Sequence, residues 1–169
     1  MIDDPHGAVR VIEDVMASTP GVGFGYIITW VAYHELDERD NAIAAAANHF
    51  RITRGDPTGA LALEEAYAGG NYTDALRHTA EVLAKHSESS HVPPIDIGFL
   101  YTQAGEIDKA IDWFEKAYRD RDPVAPYMGV LTQSHALHSN PRFIKLLRDM
   151  KLHYWANKYS QPERKLSRY

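Results

Sequence analysis

Apolar residues recur at helical spacing between positions 91 and 124, and the breaks in this pattern divide the stretch into two helices. A Pro-Pro pair at 93–94 is placed to open the first helix, because proline is tolerated where a backbone amide has no helical partner. Gly105 marks the turn. The second helix has one face formed by residues four and three apart, namely Ala110, Phe114 and Ala117. The segment is therefore predicted to be a helical hairpin.

Small residues recur along the chain at a nearly constant interval. Four alanines inside helical patterns, Ala8, Ala42, Ala75 and Ala110, are separated by 34, 33 and 35 residues. Such a period indicates stacked helix pairs, each of which buries its apolar face against its neighbours. The predicted units are 1–20 (one capping helix, or half of a pair from a longer array), 23–56, 57–90 and 91–124.

The period weakens after position 124. An Asn-Pro pair at 140–141 is predicted to start one more helix, with an apolar stripe formed by Phe143, Leu146, Leu147 and Met150. We predict a terminal module over 125–157 and a basic tail over 158–169.

The period, the small residues and the equivalent aromatic positions Tyr33 and Tyr101 resemble the tetratricopeptide-repeat family. The resemblance is clearest over roughly 57–152, and the stretch from Val92 to Met150 is similar to the module that ends such arrays in many bacterial signalling proteins and transcription regulators. It implies an all-α fold: a right-handed superhelical stack of helix-turn-helix repeats forming a single domain over 1–169.

The resemblance also implies a concave groove, lined by the first helix of each repeat, that binds a partner peptide or helix. Transferring the groove positions by repeat phase gives a set of candidate partner-binding residues. They are Phe24, Ile27, Val31 and His34 in the first repeat, Leu61 and Glu65 in the second, and Ile95, Phe99, Thr102 and Gln103 in the third. Phe99 is expected to be exposed.

The expected function is that of an adaptor that binds a protein or peptide. Members of the family that grip a terminal carboxylate need cationic donors in the groove, whereas this chain has mostly apolar residues there. We therefore expect no carboxylate clamp, and an apolar groove suits an amphipathic helix from a partner or from the chain's own carboxy-terminal segment. The alternative is a sensing or dimerising module of a bacterial signalling or regulatory system, which a symmetric homodimer would support.

Composition and net charge indicate which cellular compartment and which classes of partner to expect. The chain has 169 residues, no cysteine and a net charge of −5, which disfavours a nucleic-acid partner although five of the 18 Lys and Arg lie in 151–169. Its apolar runs are far shorter than the ~20 residues needed to span a bilayer. We expect a cytoplasmic protein with no membrane partner.

No pattern in the sequence indicates catalysis, a cofactor or a metal. His135 and His138 share a helix face, with His153 or Asp149 as further candidates, but no third ligand is defined. The glycine-rich stretch 21–25 lacks the spacing and the lysine of a phosphate-binding loop. We therefore expect neither an enzyme nor a metal site.

Overall fold

A computed structural model describes residues 4–19, 23–132 and 134–161. Every regular element within these ranges is helical, so the predicted all-α class is confirmed for this part of the chain. Seven longer helices come first: α1 (Pro5–Ser18), α2 (Phe24–Glu35), α3 (Arg39–Asn48), α4 (Thr58–Ala68), α5 (Tyr72–His86), α6 (Pro94–Gln103) and α7 (Ile107–Arg119). Four shorter ones follow: α8 (Met128–Leu131), α9 (His135–His138), α10 (Pro141–Asp149) and α11 (His153–Ser160).

Two further turns of helix connect these elements. A π-helical turn, His49–Arg54, continues α3, and a 3-10 turn, Ala125–Tyr127, precedes α8. Residues 21–22 of the glycine-rich stretch and residues 162–169 of the basic tail lie outside the described residues, while the start of the tail belongs to α11. None of the described helices is long and apolar enough to cross a bilayer.

Local sequence explains where several helices begin. The side chain of Asp4 accepts a hydrogen bond from the Gly7 amide at 2.8 Å, and Asn71 accepts one from the Asp74 amide at 3.0 Å. Such caps satisfy amides that have no partner within the helix. Asn140 caps α10 in the same way, as the Asn-Pro pair predicted.

Successive helices pack as antiparallel pairs. The pairs α2–α3, α4–α5 and α6–α7 lie within the three segments predicted from the period, and Ala42, Ala75 and Ala110 are fully buried. Close packing explains the glycine at position 98, since a Cβ atom there would lie 2.4 Å from a ring carbon of Phe114. The small residues thus let paired helices approach each other.

The turn between α2 and α3 has the same hydrogen bonding as the turn between α6 and α7. The Glu38 amide donates to the Tyr33 carbonyl at 3.0 Å, and the Glu106 amide donates to the Tyr101 carbonyl at 2.9 Å. In both turns the residue before the glutamate has a positive φ, which is common where helices end. The two tyrosines that the period aligned therefore occupy equivalent backbone positions.

The segment from Ala125 to Leu131 lies beside α2 and α6. The rings of Phe24 and Tyr127 are 5.8 Å apart, and Leu131 lines a pocket together with Val31 and Phe99. Because α9, α10 and α11 follow this segment, it is not the carboxy-terminal segment that was expected as an occupant of the groove, and that expectation stays a prediction.

The expectation that Phe99 is exposed is wrong. Its side chain is only 2% exposed, because its ring packs edge-on against Phe114 at 5.7 Å and its other side lies against the pocket shared with Leu131. Position 99 therefore belongs to the core and not to the exposed surface.

Candidate functional site

Five of the predicted groove residues line one pocket between α2, α6 and the segment that follows α8. We call it the Gln103 pocket. Its volume is about 150 Å³, and its lining residues are Val31, His34, Glu35, Phe99, Thr102, Gln103, Leu131, Thr132 and Ser134. Pockets for drug-sized ligands measure roughly 300–1,000 Å³. This pocket therefore suits one side chain or a small molecule rather than a large cofactor.

The amide oxygen of Gln103 is the unusual group in this pocket. Oε1 is buried and has no hydrogen-bond partner among the described residues. Buried acceptors are nearly always paired, because an unmade hydrogen bond leaves the cost of desolvation uncompensated. The structure thus holds a polar atom that a bound donor would satisfy.

His34 forms part of the pocket wall and is fixed by Tyr72. Its Nδ1 lies 2.9 Å from the Tyr72 hydroxyl, and the two rings are stacked with centroids 5.8 Å apart. Burial lowers the pKa of His34 below its ordinary value. The ring is therefore neutral at pH 7 and adds no positive charge to the pocket.

Glu35 supplies the charge of the pocket. It is an exposed residue at the carboxyl end of α2, and desolvation raises the pKa of its carboxyl group. No cation pairs with it among the described residues, and no lysine or arginine lines the pocket. The pocket is therefore acidic.

The other predicted groove residues are divided between core and surface. Ile27 and Ile95 are fully buried in the core, where they offer no surface to a partner. Phe24, Leu61 and Glu65 are exposed and lie outside the pocket. The structure thus gathers five of the ten residues and separates the remainder.

A buried ionic cluster that was not predicted from the sequence joins the π-helical turn to α6. Asp96 accepts hydrogen bonds from Arg54 Nε at 2.6 Å and from Arg54 Nη2 at 2.7 Å, and its Oδ1 lies 3.2 Å from His49 Nε2. Asp96 and His49 are buried. Burial alone would raise the pKa of Asp96, but the hydrogen bonds and charges of His49 and Arg54 outweigh it and lower the pKa.

The cluster borders a second cavity of about 230 Å³, which is also lined by Asp56 and His91. Asp96 lines this cavity together with Arg54, whereas His49 does not. Its second ring nitrogen, Nδ1, is buried without a partner in the described part of the chain. The cluster therefore connects the π-helical turn to α6, and the Asp96 carboxylate is already paired with Arg54 and His49.

His138, one of the histidines considered for a metal site, has other partners. His138 Nε2 lies 2.8 Å from the Thr132 carbonyl oxygen, and its ring stacks on Tyr159 with centroids 3.7 Å apart. Burial lowers the pKa of His138 to about 4. Within residues 4–19, 23–132 and 134–161, no group of three or more His, Asp or Glu side chains could hold a metal ion.

Comparison with known proteins identifies no relative: no family model, curated protein or solved structure matches this chain.

Proposed function

We propose that this chain is a cytoplasmic protein-binding adaptor, built as a right-handed superhelical stack of tetratricopeptide-type repeats. A partner peptide or helix binds the surface formed by α2, α6 and the 125–131 segment. Because that segment already lies beside both helices, the partner contacts a composite surface rather than an empty groove.

The observation that supports this proposal is a pair of exposed aromatic rings on different elements. Phe24 begins α2, Tyr127 precedes α8, and both side chains are exposed although their rings are in contact. Contiguous exposed apolar surface is a feature of interaction sites, and aromatic residues contribute much of the binding energy there. Phe24 is also one of the predicted groove residues.

The aromatic pair and the Gln103 pocket lie along the same helix. Phe24 and Val31 are seven residues apart in α2, which corresponds to about 10 Å along the axis. A bound peptide of two or three helical turns would contact both features. The aromatic pair would supply apolar contact, and the pocket would accept one side chain.

The test compares capture of partners by wild type and by two exposed variants. Tyr127→Glu introduces a charge where 51% of the side chain is exposed, and Ile52→Glu does the same in the π-helical turn at 53% exposure. We expect wild type and Ile52→Glu to retain the same partner from a lysate of the source cell, and Tyr127→Glu to lose it. Circular dichroism must show equal helicity for all three proteins.

Loss of the partner in both variants, or in neither, would contradict binding at this surface. A captured protein counts only if the purified components bind with the same order of affinities, measured by isothermal titration calorimetry. That requirement excludes capture through a third component of the lysate.

A dimerising module is the second candidate function, and the outer face of α1 favours it. Val11 and Val15 are four residues apart on one helix face and are 61% and 42% exposed, so a second copy of the chain could cover them. Light scattering over a range of concentrations tests this candidate. A dimer that Val11→Lys dissociates supports it, and a monomer at every concentration excludes it.

A further inference from the structure

We propose that the Gln103 pocket binds a primary ammonium group on an aliphatic chain, which in the adaptor function is a lysine side chain of the partner. This inference rests on the proposed function for its biological source of lysine. The binding chemistry itself follows from the pocket alone.

The threonine hydroxyls of the pocket can act only as acceptors toward a ligand. Thr102 Oγ1 donates to the Gly98 carbonyl at 2.8 Å, and Thr132 Oγ1 donates to the Met128 carbonyl at 2.6 Å. Each hydroxyl has one hydrogen, so both retain lone pairs and no free donor. Together with the unpaired Oε1 of Gln103, they make the pocket rich in acceptors.

The charge of the pocket selects a cation. Among the described residues that line it, Glu35 is the only ionised group, because His34 is neutral and no lysine or arginine belongs to that set. A carboxylate or phosphate ligand would be repelled by this negative charge and would find no cationic donor among the described lining residues. The pocket is thus opposite in character to a carboxylate clamp.

The shape of the pocket favours lysine over arginine. Val31, Phe99 and Leu131 provide apolar walls for an aliphatic stem, and the volume of about 150 Å³ is small. An ammonium group is a compact charge with three donors, whereas a guanidinium group is a planar fork with five donors that require more acceptors in one plane. Lysine also buries its methylene stem readily while its charged end reaches polar atoms.

The experiment titrates isotope-labelled full-length protein with N-acetyl-lysine methylamide and follows the Gln103 side-chain amide by NMR. The matched probe is N-acetyl-norleucine methylamide, which has a similar stem and no ammonium. We expect saturable shifts at Gln103 and Leu131 with the lysine probe and at least about tenfold weaker binding of the norleucine probe, since a charged hydrogen bond is lost. Equal binding of the two probes would overturn the proposal.

Two substitutions test the charge of Glu35 and the acceptor oxygen of Gln103 separately. Glu35→Gln should weaken binding of the lysine probe about tenfold. The control, Glu65→Gln, makes the same substitution at an exposed position of α4 outside the pocket and should leave binding unchanged. Gln103→Leu should abolish the shifts at Leu131 but keep or raise the thermal midpoint, because it removes a buried acceptor without a partner. If the Gln103→Leu variant bound the lysine probe as tightly as wild type does, the proposal would be overturned. If that variant also had a lower thermal midpoint, the role of Gln103 would be structural only.

The outcome is independent of the test of the proposed function. Loss of the partner in Tyr127→Glu without any binding of the lysine probe would leave the adaptor function standing and refute the ammonium site. Binding of the probe without a protein partner would refute the adaptor function and leave a small-amine site.

Discussion

Replacing Asp96 with asparagine tests how strongly the buried ionic cluster holds the helix pairs together. The substitution keeps the size of the side chain but removes its negative charge and one of its two acceptor oxygens, so the Arg54 guanidinium and the His49 ring lose their common anionic partner. Removing one member of a buried ion pair costs about 3–5 kcal/mol of folding free energy. The Arg54 side chain is still 19% exposed, and water there compensates part of the loss. We therefore expect the lower limit, about 3 kcal/mol.

Urea denaturation and calorimetry measure this loss directly. For a chain of this length, about 3 kcal/mol corresponds to a Tm lower by about 6–12 °C. The matched control is Asp112→Asn, which removes the 2.8 Å contact with Arg142 at a carboxylate that is 65% exposed. Exposed ion pairs contribute less than ~1 kcal/mol. If Asp96→Asn cost no more than the control, the argument that burial gives the cluster its importance would be refuted.

The difference between wild type and Asp96→Asn should also depend on pH. The pKa of Asp96 is lower in the folded protein than its ordinary value. The ionised carboxylate therefore stabilises the fold above the unfolded-state pKa, and this stabilisation is lost as the pH falls through the folded-state pKa. We expect the gap in unfolding free energy to be largest near neutral pH and to shrink in acid below the ordinary range of an aspartate. A gap that stayed constant into strong acid would contradict the assigned charge.

Three further predictions concern packing and protonation. Gly98→Ala should lower the free energy of unfolding in urea by ~1–3 kcal/mol, because the new methyl group would lie 2.4 Å from the Phe114 ring, and an unchanged midpoint would contradict this close approach. Phe99→Glu should abolish cooperative thermal unfolding followed by circular dichroism, because it places an unpaired carboxylate in the core, and a native melting curve would show that position 99 is accessible. The His138 ring should titrate in NMR with a midpoint near 4. The stability that its neutral form provides should be lost as the pH falls from about 6.5 toward that value. A midpoint of about 6.5 would contradict the burial of this ring beside Tyr159.

The helices and their pairing could be predicted because the evidence for them is local. Asn140 before a proline, and Ala42, Ala75 and Ala110 at one period, indicate helix starts and contact faces wherever they occur. Burial of the three alanines follows from the same pattern. Half of the candidate groove residues also line one pocket; they come from the first and third predicted units, whereas Leu61 and Glu65 of the second lie outside it.

The polar contacts could not be predicted because they join distant parts of the sequence. Asp96 lies in the first turn of α6, where an acidic residue is ordinary at a helix amino terminus, and its partners are 42 and 47 residues away. The burial of Phe99 depends on where the 125–131 segment lies, and the period of the helix pairs carries no information about that segment. The unpaired oxygen of Gln103 has the same origin, since only tertiary structure decides whether a glutamine finds a donor.

The link between Arg54 and Asp96 has a consequence for how the chain unfolds and how it could evolve. In a linear array each unit touches only its neighbours, so units can fray, duplicate or disappear one at a time. Here the Arg54 guanidinium, in the π-helical turn that continues α3, pairs with Asp96 in α6. The contact therefore bypasses the pair formed by α4 and α5, which lies between them in the sequence. Deleting or duplicating the middle pair would leave a buried carboxylate without its cation. These three pairs therefore form one cooperative unit of fixed length, in which no pair is an interchangeable module.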